Sequence, residues 1–116
     1  MNLTKAKAYC RKLPGATEDI KWETNLVFSV GEKMFAVMGA EGSERGISFK
    51  VDDDRFLELT DRPGIIPAPY LARAKWVYIE DPKAVSDAEV AELLQRSYEL
   101  VFAKLTKKLQ REIQGS

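Results

Sequence analysis

Residues 26–38 read LVFSVGEKMFAVM, and the reading of this stretch decides the fold. Two apolar runs, residues 26–30 and 33–38, flank Gly31-Glu32. A two-residue connection with glycine first predicts a β-hairpin with a type II′ turn. Upstream, Ile20-Lys21-Trp22 is a short strand candidate. Downstream, Ile47-Ser48-Phe49-Lys50-Val51 alternates apolar and polar, the signature of a strand with one buried face. Between them, residues 39–46 form a polar loop carrying Gly39, Gly42 and Gly46. Together these segments predict an antiparallel meander.

Helical patterns lie on both sides of it. Asn2 or Thr4 caps a first helix reaching Leu13, with Leu3, Ala6, Tyr9 or Cys10, and Leu13 on one apolar stripe. Pro14-Gly15 stops it. Asp52 caps a second helix over 53–60, where Asp53 and Asp54 suit the positive end of the helix dipole. A further strand spans Trp76–Ile79. Ser86-Asp87-Ala88-Glu89 is a capping box and opens a long helix over 87–112. Its apolar stripe (Val90, Leu94, Tyr98, Val101, Leu105, Leu109) is widened by Leu93, Ser97 and Phe102, which suits packing on a sheet. The order is helix, three or four strands, helix, strand, helix. It predicts one domain over residues 1–116, an α+β two-layer sandwich. Its antiparallel sheet is covered on one face by the N- and C-terminal helices, and the other face is open to water.

Composition narrows the function classes. The chain has 116 residues, with 18 Lys+Arg against 18 Asp+Glu and a formal net charge of zero. Residues 1–60 hold nine basic and ten acidic side chains, so neither half is a basic tail. Histidine is absent and Cys10 is the one cysteine. This removes imidazole bases, Ser–His and Cys–His nucleophiles, cysteine or histidine metal clusters and an intrachain disulfide. Asp52-Asp53-Asp54 lacks the spread of oxygen ligands that an EF-hand needs. No catalytic residues, metal or cofactor are expected, and the protein is read as non-enzymatic. The N-terminus has no signal-peptide pattern, and no apolar run approaches the roughly 20 residues of a membrane span. A soluble cytoplasmic protein with no membrane partner is therefore expected.

The stretch most open in meaning is 62–80, RPGIIPAPYLARAKWVYIE. Arg73 and Lys75 sit beside Trp76. If Val77 and Ile79 face the core, alternation places Trp76 and Tyr78 on the open face, with Ser48 and Lys50. Lys50, Arg73, Lys75, Trp76 and Tyr78 then form a candidate nucleic-acid surface. The cations would meet phosphate, and the rings would stack on bases or wedge between them. The competing reading makes the prolines a stiff connector with Trp76 packed beneath it. Lys104, Lys107, Lys108 and Arg111 are read as complementing the C-terminal dipole of the long helix. Cys10 is read as a buried structural thiol.

Several pieces recur in a familiar order. They are Leu13-Pro14-Gly15, the hairpin Val27–Ala36, Ser48-Phe49-Lys50-Val51-Asp52, Pro63-Gly64-Ile65, Pro67-Ala68-Pro69-Tyr70, Lys75-Trp76, Ser97-Tyr98-Glu99-Leu100-Val101 and Lys104-Leu105. In this order the chain resembles the MmcQ/YjbR family of small bacterial proteins. The resemblance implies a frataxin-like (CyaY-like) fold and a DNA-binding role with two hairpin wings. Members often carry a histidine near the Lys-Trp pair, whereas this chain has Leu71-Ala72-Arg73-Ala74 there, so no site depending on that histidine is expected. The frataxin comparison also suggests iron binding by an acidic first helix. Residues 3–13 contain no acid, which rejects it. The expected function is DNA binding through the basic and aromatic face. The alternative is a protein- or small-ligand-binding module using the same open face.

Overall fold

The computed structural model describes residues 1–22, 24–39 and 46–115. Among them, six strands form one antiparallel sheet: β1 (Ala16–Lys21), β2 (Asn25–Val30), β3 (Lys33–Gly39), β4 (Ile47–Lys50), β5 (Ile65–Pro67) and β6 (Trp76–Ile79). Their spatial order is β1-β2-β3-β4-β6-β5. Four helices, α1 (Leu3–Lys12), α2 (Asp53–Thr60), α3 (Asp87–Phe102) and α4 (Lys107–Gln114), complete the two-layer α+β sandwich.

The hairpin sets the frame. Gly31 and Glu32 both have positive φ, 56° and 68°. That is the sign pattern of a type I′ turn rather than the expected II′. Gly31 is also fixed by contact, since a Cβ there would lie 2.7 Å from a methyl carbon of Leu105. The β2–β3 register shifts between Phe28 and Ser29: Phe28 faces Ala36, and Ser29 faces Met34. Phe35 is the extra residue of this bulge, which lets both Phe35 and Ala36 turn into the core.

Phe28, Phe35, Phe49, Ile47, Ile79 and Leu94 are fully buried between sheet and helices. Each such side chain contributes roughly 1.5–3 kcal/mol by leaving water. Phe35 meets the Tyr98 ring edge-on at 5.5 Å, and Tyr98 stacks on Phe102 at 5.8 Å. Buried Ser97 joins the layers through hydrogen bonds: its hydroxyl donates to the Phe35 carbonyl (2.6 Å) and accepts from the Lys50 N–H (3.0 Å). It thus satisfies two strand groups just beyond the Ala36–Phe49 end of the β3–β4 ladder. Burial also pushes the Cys10 thiol up to about 12, as suits a structural cysteine.

Some expectations need correction. The short candidate at residues 20–22 is the end of a strand that begins at Ala16. The residues after Gly64 include the edge strand β5. Asn2, not Thr4, caps α1, its side chain accepting from the Lys5 N–H at 3.1 Å. Asp52 occupies the N-cap position of α2 but makes no side-chain cap bond. Its carboxylate instead receives Nε and Nη2 of Arg96 at 2.8 and 2.9 Å. Ser86 accepts from the Glu89 N–H at 3.1 Å, but the Glu89 carboxylate turns to Arg62, pairing at 2.8 and 3.0 Å. Half of the expected capping box is thereby used as a tether to the end of α2.

The long final helix is two helices. Thr106 caps α4, accepting from the Leu109 N–H at 3.2 Å. Gln110 donates to the carbonyls of Phe102 (3.0 Å) and Leu105 (3.1 Å), satisfying groups that the break leaves free. Lys107 and Lys108 consequently stand in the first turn of α4, the positive end of its dipole. The dipole account of the basic cluster therefore fails for these two lysines. Of the expected loop over residues 39–46, Gly39 ends β3, and residues 40–45 lie outside the described residues.

Candidate functional site on the open face of the sheet

The helices leave one sheet face uncovered. Val27, Val37, Ser48 and Tyr78 stand opposite one another on β2, β3, β4 and β6, forming a row across that face. Lys50 pairs with Trp76 one pleat further along. Ser48, Lys50, Trp76 and Tyr78 thus share one parity of the sheet, as the alternation in the sequence predicts.

The connector after β5 partly roofs this face. Ala68 N–H donates to the Trp76 carbonyl (3.0 Å), and Trp76 N–H donates to Leu71 (3.2 Å). The indole is only 4% exposed beneath it. Trp76 is therefore not presented for stacking on a base, and the stiff-connector reading describes its packing. Lys50 Nζ donates to the Ala74 carbonyl, fastening the end of the connector to β4. Burial lowers the Lys50 pKa, with nearby Lys104 acting in the same direction. Lys75 closes a short 3-10 turn (Ala72–Ala74) in the left-handed conformation, φ 62°, and its ammonium lies 5.1 Å from the Phe56 ring centre. Arg73 is exposed on that turn with no hydrogen bond or ion pair to the described residues. The structure thus buries Trp76 under the connector, ties Lys50 to the connector's end beside Asp53 and Lys104, aims Lys75 at α2 and leaves Arg73 in solvent. Tyr78 has a different setting.

Beside the connector the open face holds a cavity of about 550 Å³. Asn25, Val37, Ser48 and Tyr78 form its floor; Pro69, Tyr70 and Leu71 form one wall. Trp22, arriving from the end of β1, lines it too. No charged side chain lines it among the described residues. The Tyr78 hydroxyl accepts from the Gly46 N–H at 3.0 Å, so its own proton is free to be donated. The Ser48 hydroxyl and the Asn25 amide make no hydrogen bond with the described residues. An apolar cleft of this size with a few unused polar groups has the character of a small-molecule site.

The rim is built at a conformational cost. Leu71 N–H donates to the Ala68 carbonyl at 3.1 Å, closing a turn with Pro69 and Tyr70 at its centre. Tyr70 has φ 67°, the sign that type II turns require at this position, where glycine is usual. Its side chain is fully exposed. Trp22 also has positive φ, 53°, and is 66% exposed. A non-glycine residue in this region costs roughly 1 kcal/mol or more. Two aromatic residues bear that cost at one cleft and gain little burial for it. Sequence reasoning placed Trp22 in a strand and Tyr70 in the connector. Proline before tyrosine, in a turn position usually held by glycine, was the available signal.

Fold and site together define a small α+β domain with an aromatic-rimmed cleft on its uncovered sheet face. The model of the YjbR family matches residues 11–100, and the chain belongs to that family. Among solved structures it is similar to the Deinococcus radiodurans protein DR2400, described by its DUF419 domain. That match has a TM-score of 0.85 and 30% identity, covering 97% of this chain and 88% of that one. A Pseudomonas syringae protein solved by structural genomics shares the fold at TM-score 0.68 and 24% identity, covering 87% of this chain and 99% of that one. A search of curated proteins finds no match. Among the described residues, no helix is long and apolar enough to cross a membrane.

Proposed function

We propose that this chain is a non-enzymatic binding module whose site is the open-face cleft. Its ligand is a small, uncharged, largely apolar molecule bearing an aromatic ring and one or two hydrogen-bonding groups. The observation that carries this reading is Tyr70, a fully exposed aromatic in a left-handed turn position on the wall of an apolar cavity. A ligand ring between Tyr70 and Trp22 would remove both side chains from water. The Ser48, Asn25 and Tyr78 groups would then fix its orientation. Among the described residues the lining carries no charge, which disfavours phosphate, a group that needs cations to replace its counterions.

DNA is the second reading. Arg73, exposed and unpaired among the described residues three positions after Tyr70, favours it. Titration calorimetry separates the two, using 4-ethylphenol at neutral pH and a short DNA duplex at ~50 and ~200 mM salt. The proposal expects saturable, salt-insensitive heat with the phenol, lost in Ser48→Met, which fills the cleft floor. Heat with the duplex alone, falling steeply with salt and lost in Arg73→Ala, would replace it with the DNA reading.

A further inference from the structure

The two edges of the sheet are not alike. β5 is three residues long and ends in Pro67, so it offers little to a further strand. β1 is six residues long, pairs among the described residues with β2 alone, and is exposed along nearly its whole length. We propose that the free edge of β1 is a homodimer interface, pairing antiparallel with β1 of a second copy about a two-fold axis at Ile20.

Three observations select the second copy and the register. First, Ile20 lies opposite Leu26, a core residue, and so faces the helix side of the sheet. It is nevertheless 59% exposed. Helix α1 is tied further back along the strand, where Arg11 pairs with Glu18 at 2.8 and 3.0 Å, and leaves Ile20 bare. A two-fold axis there sets Ile20 against Ile20 of the second copy. It also displaces the two α1 helices to opposite ends of the pair.

Second, Asp19 and Lys21 make no ion pair with the described residues, unlike Glu18. In the Ile20-centred register each Asp19 faces Lys21 of the other copy, so the contact is made twice. Third, the neighbouring registers are poorer. An axis at Asp19 sets the two Asp19 carboxylates together, and an axis between Glu18 and Asp19 sets acid against acid on both sides. An axis between Asp19 and Ile20 sets each Ile20 against an Asp19 carboxylate and each Lys21 against a Glu18 that Arg11 already holds. The Ile20-centred register is thus the one that covers the exposed isoleucine and pairs both unused charges. The resulting dimer joins the two sheets through residues 19–21 of each β1, the part of the strand that this register pairs, with all helices on one side and both clefts on the other. This inference is independent of what the clefts bind.

Sedimentation equilibrium from ~10 µM to ~1 mM tests it, a range suited to a small strand-to-strand interface. The native chain is expected to dimerise reversibly. Asp19→Lys should weaken association by about tenfold or more, through two attractive contacts turned repulsive. Adding Lys21→Asp should restore it, because the exchanged pair is again complementary. Under a mild oxidant, Ile20→Cys should crosslink rapidly while Thr17→Cys does not, since Cys10 is buried and cannot compete. A native chain monomeric at ~1 mM would overturn the proposal, as would dimers indifferent to Asp19→Lys or equal crosslinking at residues 17 and 20.

Discussion

The two faces of this sheet use aromatic residues in opposite ways. On the helix side, Phe28, Phe35 and Phe49 are wholly buried, and Tyr98 spends its hydroxyl on the Pro14 carbonyl at 2.5 Å. On the open side, the connector hides Trp76 but leaves a cleft beside it, with Tyr70 and Trp22 standing in water. One face is filled by residues in ordinary strand and helix geometry. The other is bordered by residues in costly geometry that bury little surface. Stability explains the first arrangement and does not explain the second, which is why the cleft is the place to look for function.

Substitutions sharpen this contrast, and the largest effects belong to the covered face. Phe49→Ala should cost about 3–5 kcal/mol in urea unfolding, the range for emptying a packed aromatic site. Trp76→Ala should cost about 3 kcal/mol, because the open face is truly packed beneath the connector. A loss below about 1 kcal/mol there would show that the connector is a loose flap. Ser97→Ala removes one bridge between α3 and two strands and should cost about 1–3 kcal/mol, since it orphans buried backbone groups.

Smaller effects follow from the charged tethers. Arg62 hydrogen bonds hold the Glu89 carboxyl below the ordinary carboxylate range. The unfolded chain therefore takes up that proton at higher pH than the folded one. The pair's contribution is complete above the unfolded carboxyl's pKa and is lost as pH falls through the lower folded value. Glu89→Gln should cost about 0.5–1 kcal/mol at neutral pH and nothing further in acid, seen as a shallower acid limb of stability against pH. The smallest change belongs to the rim. Tyr70→Gly should leave stability within about 1 kcal/mol of native, because glycine accepts φ 67° freely, yet it should abolish ligand heat.

The sequence made the covered face legible and the open face only partly so. Strict alternation at Ile47–Val51 and the two apolar runs around Gly31 identified the central strands. The limits of α2 and β6 followed from Asp52–Asp54, Pro63-Gly64 and Asp81-Pro82. β1 was shortened because an edge strand exposed on both faces shows no alternation. The break after Phe102 was hidden because Leu105, Leu109 and Ile113 all pack on the core, so the apolar period runs on through the Thr106 cap. Tyr78 and Lys50 were placed on the correct face by period two alone. The burial of Trp76 depends on how the connector folds back, and the left-handed turn at Tyr70 on which φ the backbone adopts; no periodicity reports either.

The most direct test is an amide chemical-shift map of the native chain titrated with 4-ethylphenol. Binding in the cleft should give saturable shifts confined to Asn25, Val37, Ser48, Leu71 and Tyr78 and their neighbours, with the amides of α3 unmoved. Shifts scattered over the helices, or none on the open face while a DNA duplex shifts Arg73 and Lys75, would contradict it.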